Sequence, residues 1–127
     1  MKLVVIAFLA VGVLAMTGLV TIANQRAAGD RDPGEIIMTE MRFSPNRTDG
    51  RVGEPMILII VNRGSLRHDL AFPPQSMPGL QGVETLTMPG ESTRLTLTFE
   101  SAGVYLFECT IPGHAASGMT GAVFISP

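Results

Sequence analysis

The 127-residue chain has no tryptophan, a single tyrosine, one cysteine, one lysine and two histidines. A lone cysteine, Cys109, excludes an intrachain disulfide, so no covalent staple holds the fold. That leaves two ways for the thiol to persist: buried and inert in a core, or bound to a metal. Basic residues are few. Past residue 23 there are eight arginines against eleven acidic residues, a balance of −3. With no basic patch and no tryptophan, nucleic acid does not fit as a partner. The acidity is too mild to say which protein might dock. There is no internal repeat or low-complexity tract. No window after residue 34 carries the apolar stripe of an amphipathic helix.

What is present begins at the N-terminus. Leu3 to Ala23 is a run of 21 uncharged residues, mostly Val, Leu, Ile and Ala, preceded by Lys2. As a helix it would reach roughly 32 Å, about the thickness of a bilayer's hydrocarbon core. A cleaved secretory signal would have a shorter apolar core and a small-residue site, for which Thr21-Ile22-Ala23 could serve weakly. The length favours an uncleaved transmembrane anchor with its positive end in the cytoplasm. Either reading exports the rest of the chain, to the periplasm or the outer face of the cytoplasmic membrane. Residues 1–23 are thus expected to be an anchor or signal segment. Residues 24–34, polar and ending in Pro33-Gly34, read as a linker, and residues 35–127 as one domain.

Strand signals fill that domain. Glu35 to Phe43 is rich in Ile, Met and Phe, and Pro45 ends it. Asp49-Gly50 predicts a turn between Arg47 and Val52. Met56 to Val61 is a continuous apolar run bounded by Pro55 and Asn62-Arg63-Gly64, as in a strand buried in a sandwich core. Thr93, Leu95, Leu97 and Phe99 alternate with Arg94, Thr96 and Thr98, the period of a half-buried strand. Val104 to Cys109 comes after the turn at Ser101-Ala102-Gly103, with Tyr105, Phe107 and Cys109 on one face. Gly121 to Ser126 closes the domain. Residues 73–82 read as a long irregular connection. Some seven short strands predict a small antiparallel sandwich.

The chemistry gathers near the C-terminus. Cys109, His114 and Met119 succeed one another at five-residue intervals, and the other histidine, His68, lies upstream beside the apolar run. One thiolate, two imidazoles and one thioether form the donor set of a blue-copper electron-transfer centre. A trigonal His₂Cys plane with a weak, long Met bond is a compromise between the geometries that Cu(I) and Cu(II) prefer. Little rearrangement is then needed when an electron moves. Cys109 would be fixed at a strand end, while His114 and Met119 lie in a loop rich in Pro and Gly. Gly113 and Gly118 serve the backbone there. Met38, Met41, Met56, Met77 and Met88 read as core or loop filler, Met77 alternatively as part of a docking surface.

An ordered series of short motifs then carries a resemblance. Glu40-Met41-Arg42-Phe43-Ser44-Pro45, Val52-Gly53-Glu54-Pro55, Asn62-Arg63-Gly64, His68-Asp69-Leu70 and Pro89-Gly90 come first. Gly103-Val104-Tyr105-Leu106-Phe107-Glu108-Cys109-Thr110, Pro112-Gly113-His114 and Gly118-Met119 complete it. The series resembles the cupredoxin family across residues 35–127. Its loop spacing is most similar to the auracyanins, with sulfocyanin-like proteins close behind. The resemblance implies an all-β, Greek-key sandwich with one mononuclear copper, ligated by His68, Cys109, His114 and Met119. It also implies that His114 is the electron exit, ringed by an uncharged patch of Ile111, Pro112, Ala115 and Ala116. Asp69 departs from the family's usual Asn. Its backbone N–H could still face the cysteine sulfur, and its carboxylate could accept from Thr110, tying two ligand-bearing segments together.

The function implied is one-electron transfer, with a cytochrome c, an oxidase or reductase, or a membrane electron-transfer complex as partner. The alternative is a periplasmic copper-handling protein. Such proteins expose Met/His-rich or multi-Cys sites, whereas this chain has one cysteine on a strand. Enzymes that share the fold, copper nitrite reductases and multicopper oxidases, need further copper centres and further histidines. Two histidines argue against an enzyme, and one cysteine excludes a dinuclear electron-transfer centre.

Overall fold

The computed structural model describes residues 33–73 and 84–127. These form nine strands: β1 Gly34–Thr39, β2 Arg42–Ser44, β3 Arg47–Arg51, β4 Met56–Asn62, β5 His68–Ala71, β6 Glu84–Thr87, β7 Ser92–Leu97, β8 Gly103–Glu108 and β9 Thr120–Ser126. They assemble as a four-stranded sheet in the order β2-β1-β4-β7 and a five-stranded sheet in the order β3-β9-β8-β5-β6. The fold is all-β. Among the described residues no helix is long and apolar enough to cross a membrane. The segments read as anchor and linker, but for Pro33 and Gly34, lie outside the described residues, as does most of the connection at 73–82, Met77 included.

The apolar run 56–61 becomes β4, flanked by β1 and β7 in its sheet. Leu58, Ile60 and Asn62 point into the core, and Ile57, Ile59 and Val61 are half-buried on the other side. Phe43, Phe72, Phe99, Phe107 and Tyr105 fill the space between the sheets. Phe107 meets Phe43 edge-on with ring centroids 5.1 Å apart, a favoured aromatic geometry. Tyr105 Oη donates to Ser101 O at 2.5 Å, pinning the turn that precedes β8.

Three expectations are corrected. The strand read over Glu35–Phe43 is two strands, β1 and β2, joined by Glu40-Met41 with Met41 at φ 57°. The sandwich is mixed rather than antiparallel: β1 runs parallel to β4 and β3 parallel to β9. Asp49-Gly50 is no turn. It lies within β3, opposite Phe124 and Ile125. The turn falls at Val52-Gly53, where Gly53 has φ +73° and Glu54 N–H donates to Arg51 O. Gly50 is there for space, since a Cβ on it would run into Met56 Cε and lie 2.9 Å from Ile125 Cδ1.

Candidate metal centre

Strand ends build the site. Cys109 directly follows β8 and Met119 directly precedes β9, so the loop between them closes a hairpin. Cys109 N–H donates to Met119 O at 3.1 Å, which extends the β8–β9 ladder to the two sulfur-bearing residues. Within the loop, Gly118 N–H donates to Ala115 O at 2.9 Å and Met119 N–H to His114 O at 3.1 Å. With Gly118 at φ +101°, this is a Schellman closure, which folds the residue after the glycine back onto the start of the turn. The spacing from His114 to Met119 therefore has a backbone cause: the closure returns Met119 to His114.

His68 opens β5. Ala71 pairs with Glu108 in antiparallel register, so the residues before Ala71, His68 and Asp69, are set against the segment after Cys109. The rings of His68 and His114 face each other with their Nδ1 atoms 3.2 Å apart. His114 Nδ1 also lies 3.5 Å from Cys109 Sγ. Ligating atoms of His68, Cys109 and His114 all fall within 4.8 Å of one another, and all three residues are buried. Met119 is fully buried in the same core cluster as Cys109.

Asp69, also buried, accepts from Thr110 N–H at 2.6 Å and from the Thr110 hydroxyl. The backbone N–H groups of Asp69 and Ile111 point at the cysteine sulfur. Around the loop the surface is uncharged: Pro112 and Ala116 are exposed, Ile111 and Ala115 half-buried, and His114 is 6% exposed.

Burial favours the neutral forms of two donors, Cys109 and His68. Burial pushes the Cys109 thiol up, against the pull of the two backbone N–H groups and with the Asp69 carboxylate adding to the rise. Burial likewise pushes His68 down, helped by His114 and opposed by Glu40 and Asp69. A soft cation would reverse the rise at Cys109, because it takes the thiolate, and would suit His68, which it takes as a neutral imidazole. The donor set fits such an ion. Of the two His68 nitrogens, Nδ1 faces the cluster, while Nε2 is buried away from it with no hydrogen-bond partner among the described residues.

Two supporting residues had no role assigned from the sequence. Asn62 is fully buried. Its Nδ2 donates to Leu66 O at 2.8 Å and Thr87 O at 2.9 Å, and its Oδ1 accepts from Gly64 N–H at 2.9 Å. It thereby fixes the loop that leads into His68. Glu40, in the β1–β2 turn, accepts from the backbone N–H and the hydroxyl of Ser65 in that loop. The Ser65 N–H is the largest reason its carboxyl is held down at about 2, followed by Glu40's own backbone N–H and then the Ser65 hydroxyl. An Asn that ends a buried apolar run was the one available signal, since buried polar side chains need partners. Glu40 and Ser65 lie 25 residues apart, and nothing local links them.

Comparison with known proteins agrees with this geometry. The family model described as Cupredoxin-like domain matches residues 12–120. Copper-resistant cuproprotein CopI of Rubrivivax gelatinosus is 29% identical over 105 residues, covering 71% of this chain and 64% of that protein. Copper-containing nitrite reductase of Rhizobium sullae is 34% identical over 96 residues, covering 62% of this chain and 25% of that one. The chain thus spans less than two thirds of the length of either relative. Among solved structures, the dithionite-reduced auracyanin from the photosynthetic bacterium Roseiflexus castenholzii shares the fold. Its TM-score is 0.65 at 21% identity, over 76% of this chain and 98% of that one.

Proposed function

The chain belongs to the cupredoxin-like family, and on that premise we propose that it holds one copper ion and transfers single electrons. His68, Cys109 and His114 would hold the ion, with Met119 as the weaker axial donor. One observation carries this reading: two imidazoles and one thiol, all buried, bring their ligating atoms within 4.8 Å of one another. Copper supplies a reversible one-electron couple, and sulfur donors favour its reduced state.

The chain's own residues supply rigidity. Cys109 is anchored by its bond to Met119 O, Met119 by its bond to His114 O, and Asp69 latches the His68 strand to Thr110. A centre held this way resists the rearrangement that would slow electron transfer. His114 sits under the uncharged rim of Ile111, Pro112, Ala115 and Ala116, which suits brief docking and exit of the electron through its ring. A cytochrome c, an oxidase or reductase, or a membrane complex would dock there. Residues 35–127 act as the exported domain, at the periplasmic or outer face of the cytoplasmic membrane. Residues 24–34 serve as the tether and residues 3–23 as the anchor. Both histidines of this chain are taken by one such centre, so it has no histidine left for a further copper site of its own.

The likeness to a copper-resistant cuproprotein favours copper handling as the second reading. The two readings part on rates. Introducing Glu at Ala115 places a charge on the docking rim, and electron exchange with cytochrome c should slow by on the order of tenfold. The visible spectrum should stay unchanged. Equal rates in wild type and A115E, together with rapid surrender of Cu(I) to a chelator, would favour handling instead.

A further inference from the structure

His68 Nε2 is the polar atom of the centre that the fold leaves buried and unpaired. If Nδ1 gives its lone pair to a metal, the ring proton must sit on Nε2, and a buried N–H without an acceptor is costly. The surroundings of Gly64 show where an acceptor lies. A Cβ on Gly64 would stand 3.2 Å from His68 Nε2, 2.9 Å from Glu40 Oε1 and 3.3 Å from Asn62 Oδ1. Three polar atoms therefore ring one point, kept free of side chain by the glycine, and Nε2 and Oε1 are at most about 6 Å apart. Asn62 Oδ1 is already engaged by Gly64 N–H. Glu40 is at the flexible end of its side chain and carries the full negative charge.

We infer that Glu40 is a positioning residue for the metal centre: its carboxylate turns to accept the His68 Nε2–H, with or without the metal, and so leaves the Nδ1 lone pair free to ligate. The inference rests on the copper reading above. Ser65 keeps the carboxylate beside this point through its N–H and hydroxyl, both on Oε1, which leaves Oε2 to turn toward His68. A carboxylate behind a ligating imidazole fixes the ring and makes it a stronger donor. That stabilises the higher charge of Cu(II), so Glu40 lowers the reduction potential.

The test has a metal-free arm and a copper-loaded arm, each run on wild type, Glu40→Gln and Ser65→Ala. In the metal-free protein, the wild-type His68 Nε2–H should give a downfield, slowly exchanging proton resonance, which moves upfield in E40Q. In the copper-loaded protein, E40Q should raise the reduction potential while the thiolate-to-copper absorption persists. S65A keeps the carboxylate and one of its two Ser65 donors, so it should leave the potential near wild type. Equal shifts in E40Q and S65A would reduce Glu40 to a loop tie and overturn the inference. A wild-type Nε2–H in fast exchange, or an E40Q spectrum and potential identical to wild type, would overturn it as well. Absence of thiolate-to-copper absorption in the wild type would instead defeat the copper reading, and the metal-free arm would then decide the contact with Glu40.

Discussion

Asp69 places a carboxylate, 1% exposed, between the strand that begins with His68 and the segment just past Cys109. Its two oxygens take both donors of Thr110, the backbone N–H at 2.6 Å and the hydroxyl. Its own backbone N–H serves the cysteine sulfur. One residue thus clamps two ligand-bearing segments from different parts of the sheet. Hydrogen bonds to a charged group are worth about 1.5–3 kcal/mol, so Asp69→Ala should destabilise the metal-free protein by about 2 kcal/mol. Asp69→Asn keeps an acceptor and should cost less. In the copper-loaded protein it should also raise the potential, since it removes a buried negative charge beside the site. Urea titrations of both variants check the stability order, and an unchanged midpoint in D69A would dismiss the clamp.

The elements divide the work between strands that fix Cα positions and loops that aim side chains. The β8–β9 hairpin shows how narrow the tolerance is. A Cβ at Gly121 would collide with the Phe107 ring and approach Asn46 O to 2.6 Å, and that carbonyl already accepts from Ala122 N–H at 2.9 Å. A backbone carbonyl cannot swing aside as a side chain can. Gly121→Ala should therefore cost about 1–3 kcal/mol, in the range of overpacked cores. Gly50→Ala meets only the mobile ends of Met56 and Ile125 and should cost less. Equal losses of unfolding midpoint in the two variants would show that the carbonyl is not what limits the site.

The elements also show what a sequence reveals. Ser92–Leu97 and Gly103–Glu108 were readable because each buries one face and wets the other, which writes a period of two into the residues. β5, by contrast, buries all four of its residues, and β6 alternates in the opposite sense, with Thr85 and Thr87 buried and Leu86 exposed, so neither shows apolar residues inside and polar ones outside. The Asp49-Gly50 pair misled because glycine meets two different needs, a turn or a close approach, and the local sequence does not tell them apart. In the site, the interval from His114 to Met119 was legible because one Schellman closure sets it. The Asn62 and Glu40 contacts to the His68 loop were not, because they depend on which turns the two sheets bring together.

At the scale of the whole molecule, the sandwich brings one end of β5 and the hairpin loop of β8 and β9 to a single buried point. His68 and His114 are 46 residues apart in sequence and 3.2 Å apart at Nδ1. This convergence is held by backbone bonds and the Asp69 latch within the protein itself. Rigidity of this kind is what the proposed one-electron centre needs. The most direct test adds one equivalent of Cu(II) to the metal-free protein and records the visible absorption of wild type and Cys109→Ser. A thiolate-ligated copper centre predicts an intense blue or green band in the wild type and none in the folded variant. A colourless wild-type protein, or a C109S variant with the same band, would contradict it.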